Sequence, residues 1–556
     1  MAQNKQVAGM PETARLPLMG AYSNRDSSPD KDQRFVNIFP ETRKVEQLEN
    51  TKIFLNKRPG LSEYRDFGAG EGRGCIYFNG KFYIAVGNKV YEDAVSPVEK
   101  ITLTASTGPL AIVQANSSTI GDYIFICDGT SGWFINTAGT VTQVSNTTLY
   151  NITLTAGGSG YTNGTYALSL SGGGGSGAAG TYTVAGNVVV SIEVTALGTG
   201  YTSAPTVSFP SGGGTGATAE ATLNSFPVPH IPSATFIDGY IVVAKGSDVY
   251  TCDLDEPSKW SSNNFLSAEM FPDPVKAVSR QNNQVAVFGG SSVEFFYDAA
   301  NVSGSPLSRN DSTTIQMGVC APYCVIGNER YIFFLSQSDT GGRAAWIVDG
   351  FQPKKVSDEY IERILDTETD MESVQGFGLR TKGHQFYVIN LKSQNRTLVY
   401  DPDEKLWHEW SSNIGDVHTV FAYDHIADNG TGYAYLLHTS NGTLYKLDPM
   451  VYNDSNTSII VELTTNRYDM DSYYRKFMSS VKIVGDRYDS ANSLLLSWTD
   501  TDYQNWSNEK PIDLTDDFPA FHRLGAFRRR AFKIKHTEDM PLRLESLECV
   551  YTKGSS

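Results

Sequence analysis

Short apolar runs, separated by turn residues, repeat along almost the whole chain. In residues 74–92, GCIYFNGKFYIAVGNKVYE, strand-like alternation lies on both sides of Asn79-Gly80 and again around Gly87-Asn88. An Asn-Gly pair accepts the left-handed backbone of a two-residue loop, so this stretch predicts hairpins. The same order (turn, apolar strand, turn, strand ending on an aromatic, acidic exit) returns at 121–136, 234–254, 281–299, 326–350, 381–410 and 429–449. Repeats of about 40–50 residues with this content are the mark of propeller blades. A small twisted sheet cannot cover both its faces alone, whereas sheets stacked radially bury them and leave only short edges. Unrelated hairpins in two sandwiches are the competing reading; the spacing favours a β-propeller.

The array is interrupted between Leu149 and Phe226. This stretch has no Lys or Arg, two acids (Glu193 and Glu220) and 17 of the 51 glycines. GSGYT at 158–162 returns as GTGYT at 198–202, and GGSGAAGTYTV at 174–184 is echoed by GGTGATAEATL at 213–223. Regular Tyr, Thr and Val positions around the glycines predict a two-repeat β knob in place of a flexible linker. After Pro449 the strands lengthen, as in RKFMSSVKIVGDRY and NSLLLSWTDTDYQNWS, and predict a separate β-sandwich. Ser357–Thr367 is the clearest helix, with Ser357 as its expected N-cap. The chain thus divides into an amino-terminal arm (1–67), a first propeller part (68–148), the knob (149–226), a second propeller part (227–452) and a carboxy-terminal β domain (453–556). The fold class is all-β.

Composition narrows the function. Of 556 residues, 12% are aromatic and 19% charged, which excludes a largely disordered chain. The net charge of −16 argues against a generally basic nucleic-acid surface. The amino terminus lacks the apolar core of a signal peptide, and no run is long enough to span a bilayer, so synthesis in a cytoplasm and no membrane insertion are expected. Six scattered cysteines read as buried thiols, and Cys320-x-x-x-Cys324 has no histidine at ligand spacing; no metal is predicted.

Candidate chemistry is sparse. GAGEGRG (68–74) has dinucleotide-like glycines but precedes a hairpin, so it predicts no phosphate cradle and no cofactor. The turn in LLSWTDTDYQNWS resembles the Asp-box of propeller glycosidases, where Asp500 and Trp506 would staple a hairpin and carry no chemistry. No catalytic constellation stands out, and no enzyme is predicted. The sharpest anomaly is FHRLGAFRRRAFKIKH (521–536), with Arg523, Arg528, Arg529, Arg530, Lys533 and Lys535 and no acid. It is the candidate partner-contact patch, against the plainer reading of a solvated face or a grip on acidic neighbours. Strand alternation would send Arg528 and Arg530 to one face and Arg529 to the other.

Several stretches, in order, resemble the packaged-DNA stabilisation or tail hub (nozzle) proteins of short-tailed bacteriophages. They are DQRFVNIFPE with RPGL (58–61), YTCDLDEPSKWSSNNFLSAEMFPDPV (250–275), AVFGGSSVEFF (286–296), GVCAPYCVIGNERYIFFLS (318–336), IVDGFQPKKVSDEYIERIL (347–365) and the closing strands. The 149–226 insertion departs from that pattern. The resemblance implies a structural virion protein of the tail, a homohexameric ring below the portal and its adaptor ring. Such a ring retains packaged double-stranded DNA, lets it pass during ejection, and docks tail fibres or spikes and a plug or needle. A carbohydrate-binding adhesin or a propeller glycosidase of a phage tail is the alternative.

Overall fold

The computed structural model describes residues 9–20, 33–43, 52–327, 330–338 and 341–554. Much of the stretch read as lacking a signal peptide (1–8 and 21–26) lies outside these. Antiparallel sheets at 72–102, 111–144, 234–267, 277–309, 326–355, 375–410 and 423–448 follow one another around a ring. The first strand of each lies beside the first strand of the next, and the seventh returns to the first. These are the blades of a β-propeller. The Asn79-Gly80 loop closes its hairpin between Phe78 and Lys81 with φ of +46° and +81°.

The middle strands explain why the apolar runs are so dense. In Gly121–Cys127, Ile124 and Ile126 join a core shared with the first blade, while Tyr123, Phe125 and Cys127 join one shared with the third. In Tyr240–Lys245, Ile241 and Val243 face the second blade, and Val242 and Ala244 the fourth. A strand sandwiched between blades has no solvent face, so both alternating sets must be apolar.

The amino-terminal strands are distributed through the molecule. β1 (Pro11–Pro17) and β4 (Lys52–Lys57) pair with the last strand, Arg543–Lys553, and β3 (Ile38–Arg43) pairs with β4. β2 (Arg34–Val36) joins the sixth blade to Val461–Thr464, giving one continuous nine-stranded sheet. β5 (Gly60–Asp66) pairs with Thr443–Asp448 and supplies the fourth strand of the seventh blade. The described part of the region expected as an arm is therefore built into the sandwich and into the sixth and seventh blades. The sandwich expected from 453–556 alone is built from both chain ends, its core joining Leu16, Phe35, Ile38 and Leu55 to Val461, Leu496, Phe532 and Leu547.

GAGEGRG lies at the seam between the seventh and first blades. A Cβ on Gly442 would stand 1.9 Å from the Gly68 oxygen, and one on Gly72 would stand 2.3 Å from the His438 oxygen. Backbone meets backbone at Gly72, and Gly68 and Gly70 take φ of +101° and +157°, so local geometry accounts for these three glycines.

The knob contains strands from Leu149–Ser159 to Thr215–Leu223. Its sequence repeat is a structural one: Tyr161 covers Gly214 and Tyr201 covers Gly175, where an added Cβ would fall 2.3 and 2.5 Å from the rings. Each repeat thus docks its tyrosine on the glycines of the other. The insertion ends at Leu223, because Phe226 is buried with Phe125 and Trp260 between the second and third blades.

The helix runs Glu359–Thr367, and its N-cap is Asp358, which accepts from the Ile361 amide at 2.9 Å. Ser357, the expected cap, instead accepts from the Ala345 amide and donates to Glu362. Among the described residues no helix is long and apolar enough to cross a membrane.

Candidate interaction surface

The basic run spans strand, turn and strand. Ala520–Phe527 and Ala531–His536 hold the ends, and Arg528 to Arg530 form the connection. Strand alternation does not apply to the connection: Arg528 and Arg529 are both exposed, and Arg530 is 1% exposed. Arg530 makes a two-toothed pair with Asp500 at 2.8 and 2.8 Å, its guanidinium lying 4.5 Å from the Phe527 ring centre and 5.6 Å from that of Trp498. Such planar, doubly bonded burial suits arginine and not lysine.

Three of the other cations are paired too. Arg529 pairs with Asp502 at 3.1 Å, Lys533 with Glu462 at 3.5 Å and Lys535 with Asp416 at 3.7 Å. Lys533 also lies 4.7 Å from the Trp506 ring centre. Arg528 donates to the Tyr473 carbonyl at 2.8 Å and covers the Tyr473 ring. Of the six, Arg523 and Arg528 have no carboxylate partner among the described residues. Arg523 is exposed on the edge strand of its sheet, with φ of +63°. Asp500 and Trp506 hold Arg530 and Lys533 of the basic run in place.

The propeller axis holds a cavity of about 790 Å³, lined by the second to seventh blades and including Gln114, Ser279, Arg280, Tyr323, Gln375 and His425. Burial pushes the His425 imidazole below its ordinary pKa. Asp424, beside it, accepts from Lys392 at 3.0 Å and from Asn390, so its charge is spent inside the blade. Among the described residues no group of three or more His, Cys, Asp or Glu is placed to hold a metal ion.

Two buried clusters had no warning in the sequence reading. Arg58 is fully buried and donates to Asn37 Oδ1 (2.8 Å), the Ser411 carbonyl (3.0 Å) and both oxygens of Asp454 (2.9 and 2.5 Å), tying β4, the sixth blade and the seventh together. His384 meets Asp401 at 2.7 Å, which raises the imidazole pKa. Its ring stands 5.4 Å from Phe39 and 5.6 Å from Phe386, so the pair fastens β3 to the sixth blade. A lone Arg before Pro and a His after Lys-Gly carry no signal of such partners; RPGL entered only through the family resemblance.

Comparison with known proteins agrees with this architecture. Residues 14–431 match the family described as "Bacteriophage P22 Gp10, beta-propeller". The chain belongs to that phage-stabilisation family. It is a structural component of a bacteriophage particle, and the match covers the propeller up to the last two strands of the seventh blade. No curated protein matches the sequence. Among solved structures, a virginiamycin B lyase from Staphylococcus aureus is similar at 9% identity and a TM-score of 0.35, over 69% of this chain and 98% of that one. A streptogramin B lyase is similar at 12% identity and a TM-score of 0.26, over 71% and 97%. Likeness at that level carries no activity over to this chain.

Proposed function

We propose that this phage protein is a subunit of the tail hub or nozzle, a ring that continues the DNA channel, retains the packaged genome and releases it on ejection, without catalysis. The observation that carries the reading is the family match combined with the size of the axial cavity. A duplex whose major groove alone is about 12 Å wide does not fit a 790 Å³ space. A DNA path built from this chain must therefore run between copies arranged about a shared axis, and a rotation that closes gives a ring, six copies by family resemblance. The excess of acids suits such a path. Each phosphate neutralised by a wall cation adds a counterion-release term that holds DNA back, and a chain of net −16 keeps that term small.

On this reading the remaining surfaces meet the adaptor ring, tail fibres or spikes, and a plug or needle. Imaging of the purified chain by negative stain tests it: rings with an axial opening wide enough for duplex DNA are expected. A chain that stays monomeric at all concentrations, or rings with no axial opening, would overturn it.

A further inference from the structure

We propose that the two chain ends form a clasp that holds the propeller shut, and that loosening the last strand opens the ring at the seam between the seventh and first blades. The last strand, Arg543–Lys553, pairs with β1 from Pro11↔Thr552 to Pro17↔Ser546, with β4 at Leu55↔Leu544 and Asn56↔Arg543, and with Lys476–Gly485. β4 ends at Lys57 and β5 begins at Gly60, so Arg58 and Pro59 alone separate the sandwich from the blade-closing strand. That joint has no slack. Arg58 is bonded on all sides as described, and the Gly60 amide donates to the Val451 carbonyl at 2.7 Å.

β5 then works as a strap across the seam. Its backbone pairs with Thr443–Asp448 of the seventh blade, as in Ser62↔Lys446 and Leu61↔Leu447. Its side chains reach the first blade: Tyr64 bonds Asp93 at 2.9 Å, and Arg65 pairs with Asp93 at 2.6 Å and donates to the Ala94 carbonyl at 2.6 Å. Without β5, Thr443–Asp448 becomes an unpaired edge, and Leu61 leaves the core between the sixth and seventh blades. The chain between the strap and the first blade is the glycine-rich seam, whose one buried apolar side chain, Phe67, lies in the core that the first and seventh blades share. An ordered β4 fixes one end of β5 beside its partner; a freed β4 returns that conformational freedom to it. The proposal stands on the fold alone and is independent of ring assembly by several copies.

Native-state hydrogen exchange of the intact chain across low urea concentrations tests it. Amides of Arg543–Lys553, β4, β5 and 423–448 should open at the same urea concentration, with exchange about tenfold faster than in 277–309, which stays closed. Opening of the last strand with 423–448 still protected overturns the clasp. So does opening of 423–448 before the last strand, or one global event that takes 277–309 with it. An Arg58→Met chain gives a second reading: exchange in β5 and 423–448 should rise about tenfold while Lys476–Gly485 keeps its protection. No change in 423–448, or loss confined to the sandwich, overturns the proposal.

Discussion

Single buried charges decide where this protein is vulnerable. Arg530 looked like part of a contact patch, yet its charge is spent on Asp500 inside the sandwich. Replacing it with Met leaves Asp500, itself 32% exposed, to water and removes two charge-assisted bonds, at an expected cost of about 1.5–3 kcal/mol, read as a fall in the urea midpoint of the sandwich. A triple Arg528, Arg529, Arg530→Glu change would therefore confound folding with assembly, so an interface test should alter Arg523 and Arg528.

Burial also sets the pH response. His408 and His536 are held neutral, their pKa values pushed down to about 3. Between pH 6.5 and 3 the unfolded chain binds protons that the folded chain refuses, so stability should fall steadily as pH falls through that window. Lys57, buried beside Arg58 with its ammonium on the Glu538 carbonyl, is pushed down to about 7. From pH 7 to about 10.5 the folded chain binds fewer protons than the unfolded one, so this group makes stability rise with pH. In a Lys57→Met chain that rise should be flatter, and chemical denaturation at pH 6, 8 and 10 reads the difference. His384 acts oppositely: its raised pKa adds stability that is full below pH 6.5 and is lost as pH climbs past the folded value.

At the scale of elements, the knob has a core of its own, with Tyr161, Tyr182, Val184 and Val189 buried. Replacing 149–223 with a short Gly-Ser bridge should leave the propeller's cooperative thermal transition in place. Extending the deletion through Phe226 removes a side chain that is 3% exposed and should cost a further ~3–5 kcal/mol, measured by the same melt. The composition step that marked this insertion was legible because a lysine- and arginine-free, glycine-rich stretch differs from its flanks. Its true end was not, because nothing local distinguishes an aromatic belonging to the knob from one that packs on Trp260 across the blade gap. The helix shows the same limit: Ser357 and Asp358 are both good caps, and the bond Ser357 makes to Ala345, twelve residues upstream, left the cap to Asp358.

For the whole molecule, the Arg523, Arg528→Glu chain carries the assembly prediction. If this face meets a neighbouring subunit, ring yield by negative stain and light scattering should fall severalfold while the melt of the isolated chain stays unchanged, because neither arginine pairs with a carboxylate among the described residues. Equal ring yield would place the interface elsewhere.

The number and kind of blades, the two-repeat knob and the scarcity of helix were all settled by local order along the chain, because hairpin loops and strand periodicity are properties of neighbouring residues. Which strand closes the ring, which chain end completes the sandwich, and whether a cation faces solvent or a carboxylate depend on contacts between residues tens to hundreds of positions apart. Arg58 meeting Asp454, and Arg15 of β1 meeting Ser546, come from strand pairings whose partners leave no mark in each other's local sequence, so only the folded chain could decide them.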